Sequence, residues 1–269
     1  MKTTTKTLLT GLTAAAALIA GSANAASITI FDDDFQNTTA FLSGDSDADK
    51  QTDLNAGVAT GTWTVTDGQE SDLGTDGTNN GFVLERGAYD VTANFSQAGA
   101  VGTDATTIQF DLQTVRENGD KRTSFIGKQG TTSLFTVDVV GAGSKDVEVF
   151  HNGSALLQFD YNQGILSPGN LTNSALRTFT ITMSATTYDL WIDIDGDDIV
   201  DIGEQVSSIA YSSTPTTGIT SLQVLGATGS NTDAGVAIDN VLVTTVPEPG
   251  SLALLGLGGL LVASRRRRG

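Results

Sequence analysis

The sequence predicts an all-β protein, an antiparallel sandwich of two sheets. Short runs of alternating apolar and polar residues recur through the middle of the 269-residue chain. They are rich in Val, Ile, Thr and Phe, residues that fit a pleated, half-buried surface. Clusters of Gly, Asn, Asp and Ser separate them, and no long amphipathic helical pattern intervenes.

In chain order the expected strands are 27–31, 62–66, 91–95, 107–112, 123–127, 134–140, 147–150, 156–160, 178–183, 188–193, 206–211, 221–225 and 236–243. Asn152-Gly153 falls between two of them and signals a hairpin turn. Two stretches read as solvated acidic loops, 44–55 with four aspartates and 67–80 with several glycines and asparagines. Either could take a cation, and a mobile loop is the plainer reading. No internal repeat is visible, and no linker precedes Thr244, so the middle reads as one domain.

The two ends are of another kind. Lys2 and Lys6 precede an apolar stretch from Leu8 to Ala20, followed by Gly-Ser-Ala23-Asn-Ala25. A charged start, a short apolar helix and small residues before a cut describe a secretory signal peptide. A signal peptidase is expected to cut after Ala25 and leave Ala26 as the first residue. At the other end, Pro247-Glu248-Pro249 is followed by a Leu/Gly-rich run, 252–263, and by Arg265, Arg266, Arg267 and Arg268. At ~1.5 Å per residue that run falls short of a ~30 Å hydrocarbon core, so it makes a marginal membrane helix. The arginines hold its end on the cytoplasmic side. The expected division is 1–25, signal; 26–245, sandwich; 246–269, sorting and membrane segment.

Charge and composition exclude several function classes. The chain has 14 basic and 31 acidic residues. Six of the basic residues lie in the two ends, which leaves 8 against 30 acidic ones over 26–246, a net of −22. Such a surface repels nucleic acid and anionic lipid and attracts cations. There is no cysteine and one histidine, His151, so thiol chemistry and histidine-cluster metal sites are absent. His151 reads as an ordinary turn residue. No Gly-x-Ser-x-Gly elbow, phosphate loop or dinucleotide fingerprint occurs.

One constellation carries metal chemistry. Counting Asp193 as position 1, carboxylates fall at positions 1, 3, 5, 9 and 12: Asp193, Asp195, Asp197, Asp201 and Glu204. This is the ligand order of an EF-hand-type loop, with Ile199 offering a backbone carbonyl at 7 and Glu204 two oxygens. Calcium is the expected ion. Asp198 stands where such loops have glycine, and the preceding run reads as a strand, so the loop would join two strands. The alternative is an acidic hairpin tip in water. Trp191 shares a strand face with Asp189 and Asp193, so it is the candidate for stacking on a sugar, and Trp63 is expected in the core.

The C-terminal segment 246–269 closely resembles the PEP-CTERM sorting signal of exported bacterial proteins, with its Pro-Glu-Pro motif, Gly/Leu-rich helix and terminal arginines. That resemblance implies recognition by an exosortase, transient anchoring in the inner membrane, and transfer to the cell surface or matrix. The middle resembles concanavalin A-like (laminin G-like) jelly rolls, through Ile30-Phe31-Asp32-Asp33-Asp34-Phe35, the paired runs 178–183 and 188–193, and the closing Ile238-Asp239-Asn240-Val241. This implies a domain that often binds polysaccharide. Some jelly rolls are laminarinase-like glycoside hydrolases, whose acidic strand pattern has its nearest counterpart in Asp193-Ile-Asp195-Gly-Asp197. Two glutamates there would be aspartates, one methylene short, so the hydrolase is the alternative and a non-catalytic surface or matrix protein the first reading.

Overall fold

A computed structural model describes residues 26–36, 46–67, 71–75, 80–84, 89–102, 105–114, 121–141, 146–160, 176–197, 199–226 and 236–246. The strands are β1 (Ile28–Asp33), β2 (Thr62–Asp67), β3 (Ser71–Thr75), β4 (Asn80–Leu84), β5 (Asp90–Asn94), β6 (Thr106–Thr114), β7 (Lys121–Gln129), β8 (Thr132–Gly141), β9 (Asp146–His151), β10 (Ser154–Asp160), β11 (Arg177–Met183), β12 (Thr187–Ile192), β13 (Gln205–Ala210), β14 (Ser221–Gly226) and β15 (Val236–Thr245). Among the described residues one helix, α1 (Asp47–Gly57), interrupts them. All thirteen expected strands are present, within a few residues of their expected ends.

The strands form two antiparallel sheets. One runs β13-β12-β11-β6-β15-β4-β3, with β1 also on β15; the other runs β10-β9-β8-β7-β14-β5-β2. Their inner faces meet in a single apolar core. Phe110 of β6 stacks on Phe125 of β7 at 4.6 Å, and Phe135 of β8 meets Tyr188 of β12 at 4.9 Å, so aromatic pairs join the sheets. Gly127 leaves room for the Phe135 ring, its cross-strand partner. The result is the expected two-sheet sandwich.

Two expectations on loops are corrected. The acidic stretch 44–55 contains most of α1. Ser46 caps that helix by accepting from Asp49 N at 3.3 Å. Leu54 and Lys50 are buried, and Asn55 clamps β2 by bonding both the carbonyl and the amide of Trp63, at 2.9 and 2.6 Å. The stretch 67–80 contains β3, paired with β4. The expected signal helix (1–25) and the expected C-terminal membrane helix lie outside the described residues.

The register fixes the poles. Ile28, Thr106 and Met183 share one end with Thr245, while Asp33, Asp111, Arg177 and Ile192 share the other. Thr245 is bolted down there. Its hydroxyl donates to Ala105 O at 2.9 Å and accepts from Ala100 N at 2.7 Å, and Val246 N donates to Ala105 O at 2.7 Å. Both termini of the sandwich therefore leave from one pole, and the acidic loop after β12 stands at the opposite pole.

Candidate metal centre and sorting signal

Strand β12 alternates strictly, burying Tyr188, Leu190 and Ile192. At Asp193 the chain leaves the sheet, closed at its base by Asp193 N on Thr178 O at 3.0 Å and Ile192 N on Glu204 O at 2.9 Å. Asp193 and Glu204 are both buried.

The loop is built around their carboxylates. Asp193 Oδ1 accepts from Gly196 N at 2.7 Å and Asp197 N at 3.2 Å. Gly196 is left-handed, with φ +80°, so the sharp turn falls on position 4 of the motif, where a glycine stands. Asp198 lies outside the described residues. Asp197 Oδ1 accepts from Ile199 N at 2.8 Å. Carboxylate oxygens of Asp193, Asp195 and Asp197 consequently lie within 4.8 Å of one another. Desolvation raises the Asp195 carboxyl above its ordinary range, and the charges of Asp197, Glu204 and Asp193 add to it.

The other two acidic positions do not join that trio. Glu204 faces the base of the loop, where Oε1 accepts from Ile194 N at 2.9 Å and Oε2 from Asp201 N at 3.0 Å. Asp201 is exposed, as are Ile199, Val200 and Ile202. Trp191 is half-buried, its indole 3.5 Å from Glu204 Oε2, while Trp63 is in the core as expected. Arg177, which sequence reasoning passed over, donates from Nε to Ile194 O at 2.6 Å and sets a positive charge beside the loop. The hydrolase pattern needs its carboxylates on one strand face. Strand β12 ends at Ile192, so Asp193, Asp195 and Asp197 lie in the bend beyond it.

His151 is more than a turn residue. Its Nδ1 pairs with the Tyr188 hydroxyl at 2.7 Å and its Nε2 with Asn152 Nδ2 at 2.7 Å, linking β9 to β12 across the two sheets.

The same acidic pole continues past the loop. Thr178 Oγ1 donates to Asp111 Oδ1 at 2.8 Å, and Asn240 Nδ2 donates to Asp111 Oδ2 at 2.7 Å. Asp239 lies opposite Asp111 in the β15–β6 register. It is fully buried, and burial first, then the charges of Asp111, Asp34 and Asp33, push its carboxyl up to about 7 against one backbone hydrogen bond from Asn240.

Comparison with known proteins places the other end of the chain. Residues 245–268 match the PEP-CTERM protein-sorting motif. The motif marks an exported protein that an exosortase sorts to the cell surface. It begins where the sandwich ends, at the bolted Thr245–Val246 pole. Its Pro247, Glu248, Pro249 and Arg265 to Arg268 lie outside the described residues, as do Ala23 and Ala25; Ala26 is exposed. Among the described residues no helix is long and apolar enough to cross a membrane.

No curated protein matches the chain. Solved structures with a similar fold include the T. cruzi calreticulin globular domain, at 11% identity and TM-score 0.40, covering 72% of this chain and 87% of that one. The Emp47p carbohydrate recognition domain is matched at 11% identity and TM-score 0.40, over 68% of this chain and 88% of that one. The botulinum neurotoxin serotype D binding domain is matched at 15% identity and TM-score 0.45, over 84% of this chain and 49% of that one.

Proposed function

We propose that this chain is a non-catalytic protein of the cell surface or extracellular matrix, whose sandwich binds polysaccharide with support from calcium at the 193–204 loop. Signal peptidase frees Ala26, the C-terminal segment holds the chain transiently in the inner membrane, and exosortase then moves it outward. The carrying observation is the polarity of the sandwich. The sorting motif follows directly on Thr245 and Val246, and the convergent Asp193, Asp195 and Asp197 stand at the far pole. A domain held at its tail end presents that loop away from the membrane.

Calcium suits the trio because three hard anionic oxygens this close repel one another until a cation neutralises them. Backbone carbonyls such as that of Ile199, and Asp201 at the rim, are the further donors. Glu204 joins the ion only by sharing oxygens that now hold Ile194 N and Asp201 N. The half-buried Trp191 beside Glu204 offers a sugar face.

The test is retention of the exported, processed protein on exopolysaccharide from the producing cell, in millimolar calcium and in chelator, beside a reducing-sugar assay. The reading expects calcium-dependent retention without release of reducing sugar. Reducing ends released in a Asp195-dependent manner would replace it with the hydrolase, and equal absence of binding in both buffers would remove the polysaccharide role.

A further inference from the structure

Strand β15 has β6 along one edge, but its other edge is divided between two strands. The pairing with β4 ends at Ile238↔Phe82, and the pairing with β1 begins at Val241↔Asp33. Asp239 and Asn240 fall in the seam. The β6 edge is irregular at the same place, with a register shift between Asp239 and Leu242, and Asn240 is left-handed at φ +50°. The ladder is therefore interrupted on both edges of β15 at Asp239, beside the segment where β1 turns away through Asp34 and the left-handed Phe35.

The hydrogen-bond donors on the carboxylates around the seam are already used. Asp33, also buried, accepts from Phe35 N at 2.9 Å and from the Trp63 indole at 2.6 Å. Asp111 holds Thr178 and Asn240. Asp239 Oδ1 accepts from Asn240 N at 2.8 Å, but its Oδ2 is buried and has no hydrogen-bond partner. A buried carboxylate oxygen with nothing to neutralise it, among three further carboxylates, is costly unless a proton or a cation occupies it.

We infer that the seam at Asp239 holds a second divalent cation, calcium, independent of the ion at the 193–197 trio. Asp239 Oδ2 is the inner ligand. Asp34, exposed beside it, is the entry-side carboxylate, and Asp33 and Asp111 add negative potential while keeping their positioning hydrogen bonds. Calcium accepts a mixed shell of carboxylate, backbone carbonyl and water oxygens. The ion would tie β1, β6 and β15 together where the ladder is interrupted.

The experiment counts calcium ions by calorimetry and native mass spectrometry on the exported, processed protein and on a variant carrying Asp195→Asn and Asp197→Asn. Both substitutions are at exposed positions and leave the seam intact. The double variant is expected to keep one calcium ion. Adding Asp34→Asn should weaken that residual binding roughly tenfold, and adding Asp239→Asn should abolish it. If the double variant binds no calcium while the wild type binds one, the seam holds only a proton and the inference is overturned. If the wild type binds one ion and the double variant keeps it, the seam site stands and the loop site fails.

Discussion

The Trp63 indole donates to Asp33 Oδ2 at 2.6 Å, between two fully buried side chains in strands of opposite sheets. Asp33 ends β1 beside the seam in β15, so this bond fixes the position of the acidic pole relative to the core. Trp63 also packs edge-on against Phe31 at 5.2 Å. Trp63→Phe keeps an aromatic ring but strips a buried carboxylate of its donor, a loss of about 2–4 kcal/mol from the orphaned oxygen and the smaller ring together. Adding Asp33→Asn should recover part of that loss, because the buried charge goes. Denaturant titrations of the two variants check this, and no recovery in the double variant would assign the cost to packing alone.

Stability should depend on pH in an unusual direction. Burial raises Asp33 to about 6 and Asp239 to about 7, from an ordinary 3.8. Between these values the folded protein binds more protons than the unfolded chain, so stability falls as pH rises. The stabilising contribution is complete below about 4 and is lost by about 7. In chelator, the melting temperature should therefore drop from pH 5 to pH 8. Asp239→Asn should flatten the upper part of that slope, and an unchanged slope in that variant would place the titration elsewhere.

Calcium should raise the melting temperature at millimolar concentration, the range in which extracellular modules bind. At a hundredfold excess over Kd one ion stabilises by ~2.7 kcal/mol. Asp195→Asn with Asp197→Asn should reduce the response and leave the chelated protein as stable or more so, since these exposed groups repel each other. Glu204→Gln is a poorer probe, because Glu204 holds two backbone amides and its loss loosens the loop with or without an ion. Magnesium, which demands a tighter octahedral shell, should do less. A full calcium response in the double variant would exclude the trio.

The strands were legible because their signal is local. Runs such as Thr178–Met183 and Tyr188–Ile192 alternate strictly, and burial follows the alternation residue by residue. Helix α1 was not, because its sequence is polar throughout with only Leu54 as an apolar anchor; its one signal was the Ser46-to-Asp49 cap. Strands β3 and β4 were hidden by their glycines and asparagines. The acidic spacing from Asp193 pointed to five carboxylates, of which three converge, and the inward turn of Glu204 depends on the base of the loop, which spacing does not encode. Asp239 and His151 were missed for a related reason. The burial of Asp239 comes from strands far away in sequence, and His151 is matched to Tyr188 only when the sheets face each other.

The central claim is that the chain is exported, trimmed at Ala26 and then processed at the motif that follows Val246. Intact-mass measurement of the surface-associated protein from the native host tests it most directly, for the wild type and for a variant with Pro247, Glu248 and Pro249 replaced by alanine. The wild type should begin at Ala26 and lack the arginine-rich end, and the variant should keep the whole C-terminal segment and remain in the membrane. A surface protein that retains Met1, or a variant trimmed and released like the wild type, would contradict the account.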